Sequence, residues 1–166
     1  MSPANSILVG TKDRTVWVRV EGKGSFLNST GLKEFAKEMT NRGYRDFVVD
    51  LRNCPLMDST FMGTLTGVAL RLMELGSGQL RIVNLNDRNR DLLTNLGIDQ
   101  LMELDTAPAP PAAPIQKVLP ADPTDKQERA ETMLEAHEDL VNANPENAAK
   151  FKDVLEYLRQ DLQITK

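Results

Sequence analysis

The stretch Phe47-Val48-Val49-Asp50-Leu51-Arg52-Asn53-Cys54-Pro55-Leu56-Met57-Asp58-Ser59-Thr60-Phe61-Met62-Gly63-Thr64-Leu65 sets the fold class of this chain. Phe47 to Leu51 is a nearly continuous apolar run, as a strand covered on both faces requires. From Ser59 onward, Met62, Leu65, Ala69, Leu72 and Met73 fall on one side of a helix that Gly76 closes. Gly63 and Gly67 sit inside that helix and weaken it. Ser59 therefore stands where a strand hands over to a helix N-terminus. The first N–H groups of a helix are unpaired and its dipole is positive there, so a phosphoserine is accommodated at modest cost. The same atoms also suit an ordinary N-cap, Asp58 or Ser59, worth about 1 kcal/mol, and spacing by itself leaves both readings open.

Elements of the same kind lie on either side. Ile7-Leu8-Val9 and Val16-Trp17-Val18-Arg19-Val20 are β-branched runs parted by the polar turn Lys12-Asp13-Arg14, the pattern of a hairpin. After the polar cluster Asn28-Ser29-Thr30, the residues Leu32, Phe35, Ala36 and Met39 recur at i, i+3, i+4 and i+7, with Gly43 as the stop. Leu80 to Leu85 reads as a further strand. Asp87 is placed to cap a helix bearing Leu92, Leu93 and Leu96, which Gly97 ends, and Leu101 to Leu104 adds a last short strand. The order β-β-α-β-α-β-α-β implies an α/β fold whose mixed, mainly parallel sheet is packed by helices, because strands joined through helices need right-handed crossovers.

Between Thr106 and Pro123 six prolines stand among many alanines, the composition of a semi-rigid, extended linker. Beyond it, Asp122 or Thr124 can cap a helix carrying Ala130, Met133, Leu134, His137, Leu140 and Val141, until Asn144-Pro145 interrupts it. Pro145 suits the first turn of a second helix, in which Ala148, Phe151, Leu155, Leu158 and Leu162 form a short heptad-like seam. Two such helices make a hairpin, which by itself buries little and needs the body or a second subunit to pack on, so homodimerisation through these helices is one expectation. The divisions read as 1–105 for the α/β domain, 106–123 for the linker and 124–166 for the C-terminal helical hairpin.

The segment Val48-Val49-Asp50-Leu51, followed after six residues by Asp58-Ser59-Thr60-Phe61-Met62-Gly63-Thr64-Leu65, resembles the central strand and switch helix of STAS domains of the anti-sigma-factor antagonist type. The resemblance spans about residues 5–105. It implies that Ser59 is the phosphoacceptor, Asp58 the acidic residue of the motif and Thr60 its accompanying hydroxyl. It further implies that Ser25, Asn28, Asp58, Thr60, Phe61 and Met62 lie on a partner-binding face. Phe61 departs from the family's usual glycine, and its bulk either alters the approach of a kinase or supplies an apolar contact. The mechanism implied is partner switching. The unmodified domain binds an anti-sigma factor of the serine-kinase type, phosphorylation of Ser59 ends that contact, and a serine phosphatase restores it. A constitutive scaffold or a subunit of a larger signalling or transport complex, oligomerising through the C-terminal helices, is the competing expectation.

Composition excludes other classes. The net charge is −4, with 11 acidic and 6 basic side chains from Asp122 to the C-terminus, so nothing favours nucleic acid or an anionic membrane as partner. Cys54 is the sole cysteine, which precludes an internal disulfide or a cysteine-based zinc site and fits a reducing cytoplasm. Neither a leader pattern nor a membrane-length apolar run is present. No cofactor or metal is expected: the chain carries no P-loop pattern, and His137, the sole histidine, reads as a packed side chain. Cys54 reads as a buried loop thiol and Asp50 as a loop cap at a strand end. With no nucleophile, base and orienting group to assemble, the chain is not expected to be an enzyme.

Overall fold

The computed structural model describes residues 5–105, 115–119 and 125–162. Strands β1 (Ser6–Lys12) and β2 (Thr15–Glu21) pair antiparallel across a turn at Asp13 and Arg14, whose φ values of 53° and 68° match the strands' right-handed twist. Next come α1 (Phe26–Asn41), β3 (Asp46–Asp50), α2 (Ser59–Leu75), β4 (Gln79–Val83), α3 (Asp87–Asn95) and β5 (Glu103–Leu104). A sixth strand, β6 (Lys117–Val118), precedes α4 (Lys126–Ala143), α5 (Asn147–Lys150) and α6 (Lys152–Asp161).

The sheet order is β5-β4-β3-β2-β1-β6. The pairs β2–β3, β3–β4 and β4–β5 are parallel, while β1 pairs antiparallel with both its neighbours, so the sheet is mixed and mainly parallel as the element order requires. One face carries the main core, in which Val16, Val18, Phe47, Val49, Leu80 and Ile82 meet Leu32, Ala36 and Met39 of α1 and Phe61, Leu65 and Leu72 of α2. The other carries a small cluster of Val48, Val83 and a partly buried Trp17.

The structure differs from the sequence reading at four places. Helix α1 starts at Phe26, so Asn28, Ser29 and Thr30 lie inside it rather than before it. Asn28 and Ser29 are satisfied locally around the cap: the Ser25 hydroxyl accepts from the Leu27 N–H, Asn28 Oδ1 accepts from the Ser25 N–H at 3.0 Å, and the Ser29 hydroxyl donates to the Ser25 carbonyl at 2.7 Å. The cap of α3 is Asn86, which accepts from the Asn89 N–H at 2.7 Å, and Asp87 is the first helical residue. The segment read as linker contributes β6, and the backbone of Gln116 and Leu119 donates to Val9 and Ile7 at 2.8 and 2.9 Å. Asp125, not Asp122 or Thr124, caps α4, accepting from Gln127 and Glu128; the latter two candidates lie outside the described residues.

Helices α4 and α6 form the expected hairpin, with Ala130 and Leu134 against Leu155 and Leu158, interrupted at Phe151. The hairpin also packs on the body of its own chain, and Leu140 is part of the main core. Among the described residues no helix is long and apolar enough to cross a membrane.

Candidate functional site

Asp58 organises the end of β3 that leads into α2. One of its carboxylate oxygens accepts from the Phe61 N–H in the first turn of α2, and the other from the Phe26 N–H in the first turn of α1, each at 2.9 Å. Two helix N-termini thus converge on one carboxylate, and the positive ends of both dipoles lie beside Ser59. The loop below them is held by Asn89, fully buried, which accepts from the Met57 N–H at 3.1 Å and donates to the Cys54 carbonyl at 3.1 Å. Asp50 caps the loop as expected, accepting from the Arg52 N–H at 2.9 Å and from Asn84 at 2.8 Å. Cys54 is buried against the Leu56 carbonyl, and burial pushes its thiol pKa up.

Of the residues expected at the site, Ser25, Asn28, Asp58 and Ser59 come together around the two helix starts. Thr60, Phe61 and Met62 are buried at 3 %, 0 % and 3 % exposure. Phe61 points into the core against Gly24, where a Cβ would stand 2.8 Å from its ring, so the residue that departs from the family pattern fills space a glycine opposite leaves free. On the rim, Leu27 is an exposed apolar side chain.

The residue the sequence reading did not connect to the site is His137. It lies on α4, 78 positions from Ser59, and its Nε2 is 2.9 Å from the Ser59 hydroxyl oxygen. Its Nδ1 is 2.7 Å from the Met133 carbonyl, which can only accept, so Nδ1 carries a proton. Burial is the largest influence on the ring and lowers its pKa, against smaller opposing effects of Met133 and Asp58. The neutral ring therefore accepts at Nε2, and Ser59 is the donor. Phe151 meets the same ring edge-on, centroids 4.9 Å apart.

Glycines bring α4 that close. A Cβ on Gly63 would stand 2.3 Å from the Ala136 carbonyl oxygen, and one on Gly67 would stand 2.6 Å from the Asp139 carboxylate. The two glycines that weaken α2 as an isolated helix are the ones over which α4 lies. Thr30 and Thr132 share a hydrogen bond of 2.9 Å between α1 and α4, and Arg129 sits over the Phe26 ring. At the hairpin's turn, Asn144 and Asn147 donate to the Leu96 carbonyl at 3.2 and 2.9 Å and Lys150 to that of Asn95 at 2.6 Å, satisfying carbonyls at the end of α3.

Ser59 and His137 have the contact of a nucleophile and its base. A cleft of about 710 Å³ lies between α1, α2 and α4 and is lined by Lys33, Lys37, Arg71, Glu135 and Asp139 among others, with neither Ser59 nor His137. Among the described residues no three His, Cys, Asp or Glu side chains gather as a metal site.

This architecture, a mixed sheet with a strand-to-helix switch point at Asp58-Ser59, is that of a STAS domain, and a family model for the STAS domain matches residues 6–109. The anti-sigma-B factor antagonists of Staphylococcus aureus strains NCTC 8325 and COL are each 31 % identical over 94 residues, which cover 57 % of this chain and 86 % of theirs. The chain belongs to the STAS family, in its anti-sigma factor antagonist group, a family of regulatory proteins rather than enzymes. Among solved structures, SpoIIAA in its unphosphorylated form superposes with a TM-score of 0.51 at 17 % identity, covering 61 % of this chain and 88 % of that one. The phosphorylated form of this Bacillus cell fate determinant gives 0.50 at 18 %, covering 60 % and 91 %; both likenesses are of fold. Helices α4, α5 and α6 lie beyond the matched residues.

Proposed function

We propose that this chain is an anti-sigma factor antagonist that acts by partner switching, with Ser59 as its phosphoacceptor. The observation that carries the reading is the position of the Ser59 hydroxyl at the start of α2, beside a carboxylate on which the N-termini of α1 and α2 both converge. A phosphate there gains the two positive helix ends, and its charge of about −1.5 to −2 places like charge next to Asp58 on the docking surface. The partner is an anti-sigma factor of the serine-kinase type in the cytoplasm, a serine phosphatase reverses the modification, and Ser25, Asn28 and exposed Leu27 form the rim of contact. No cofactor of the chain's own is needed, since ATP and its metal belong to the kinase.

The test is incubation of the full chain with ATP and its cognate serine-kinase anti-sigma factor, followed by mapping of phosphate by mass spectrometry and by binding measurements on Ser59→Asp. Phosphate on Ser59 and loss of binding by the variant are expected. No phosphate at Ser59, together with unchanged binding by Ser59→Asp, would overturn the reading.

One observation favours the alternative of an unphosphorylated scaffold within a larger complex: the Ser59 hydroxyl is already engaged by His137. In that reading the exposed Val154 and Tyr157 of α6 provide the oligomerising face, and replacing both with Asp lowers the solution mass.

A further inference from the structure

We infer that the surface formed by α1 and α2 beside Ser59 is a helix-docking surface, and that α4 is its intramolecular occupant, so that α4 in place and phosphate on Ser59 are mutually exclusive. The inference rests on the reading of Ser59 as phosphoacceptor.

The surface is shaped for a helix. Gly63 and Gly67 present no side chain, the Ala136 backbone fills the space above the first, and the buried hydroxyl of Thr30 finds its partner in Thr132. A competing segment must offer the same features: a helix with a small residue over Gly63 and a polar group for Thr30. The partner class is thus an α-helix of small and polar side chains.

The exclusion follows from space and charge. Between Ser59 Oγ and His137 Nε2 there is room for one hydrogen bond, 2.9 Å long, and the ring is held from behind by Met133 and Phe151. A phosphoryl group replaces the donated proton with a phosphorus and three oxygens, which need the volume the imidazole occupies. Ser59 also loses its only proton, so the buried Nε2 loses its donor. The added charge must be solvated, and α4 lying over Ser59 displaces that water. Release of α4 frees the space and the water that the phosphate needs, and by linkage whatever displaces α4 favours the phosphorylated form at equilibrium by the same factor.

The experiment uses the full chain with phosphoserine installed at position 59 during synthesis, so that no kinase is required. Hydrogen exchange is followed at the amides of α4 and of strands β2 to β4. The expected result is exchange at least ~10-fold faster in α4 with the strands unchanged. A second readout places Cys at Thr30→Cys and Thr132→Cys; in a glutathione buffer the cross-linked fraction in the phosphorylated protein should fall by a similar factor, while buried Cys54 stays unreactive. Unchanged or slower exchange in α4, equal cross-linking in the two forms, or strands that exchange faster by the same factor as α4 would each overturn the inference. Because the phosphate is installed directly, such a result counts against the exclusion alone. Failure of a kinase to modify Ser59 in Ala136→Trp, whose bulk over Gly63 lifts α4 from α2, counts against the Ser59 reading alone.

Discussion

Asp139 on α4 is the residue whose replacement should stabilise the molecule most, and by an amount that depends on pH. Its carboxylate lies over Gly67 in the cleft between α1, α2 and α4. Burial is the main cause, with Glu135, Glu138 and Glu74 adding like charge and Lys33 opposing, of a pKa raised from 3.8 to about 6. A carboxyl whose folded pKa lies above its unfolded value contributes most below the unfolded value, and that contribution is lost as pH rises through the folded one. At 1.36 kcal/mol for each pH unit, the loss is about 0.5 kcal/mol by pH 4 and about 3 kcal/mol by pH 8, less whatever water in the cleft screens. Asp139→Asn removes the titration and keeps the shape. Urea unfolding followed by circular dichroism should show the variant more stable than the parent by about 1.5–3 kcal/mol at pH 8 and by under about 0.7 kcal/mol at pH 4. A variant no more stable than the parent at pH 8, or with the same advantage at both pH values, would refute the claim that this carboxylate is paid for by the docking of α4.

Gly63→Ala forces a methyl against a backbone carbonyl that cannot swing away, and thermal unfolding should show a loss of about 1–3 kcal/mol. Gly67→Ala meets only the end of the Asp139 side chain, which can turn, so helix propensity should prevail with a gain of up to about 1 kcal/mol in the same assay. Asp58→Ala leaves the N–H groups of Phe26 and Phe61 without their acceptor and should cost about 2 kcal/mol in urea unfolding, whereas Asp58→Asn, with one accepting oxygen, should lose about half of that. The lowered pKa of His137 means stability present above pH 6.5 and lost as pH falls below it, the sign opposite to Asp139. Comparing Asp139→Asn with Asp139→Asn/His137→Gln between pH 7 and pH 5 isolates it, and only the former should weaken on acidification.

The elements of residues 5–105 were legible because their causes are local. Alternation and β-branching mark β1 and β2, the apolar run marks β3, and Gly43, Gly76 and Gly97 adopt the positive φ values of 98°, 82° and 70° that close each helix. Helix starts were less legible where several polar residues stand in a row. Asn28, Ser29 and Thr30 look like a cap from sequence because each can cap, yet Ser25 does so, Asn28 and Ser29 bond within the turn, and Thr30 bonds to Thr132 on α4. Strand β6 was missed because a two-residue strand carries no period; it exists only because β1 offers an unpaired edge to it.

By itself the sequence determined the α/β order, the STAS resemblance and the place of Ser59 at a helix start, since each depends on residues within a few positions of one another. Only the tertiary structure decided what the C-terminal hairpin covers. The contacts of His137 with Ser59, Ala136 with Gly63 and Asn147 with Leu96 join residues far apart in the chain. Glycines that look like flaws in α2 become its closest contacts once α4 lies on them, and no local periodicity records that pairing.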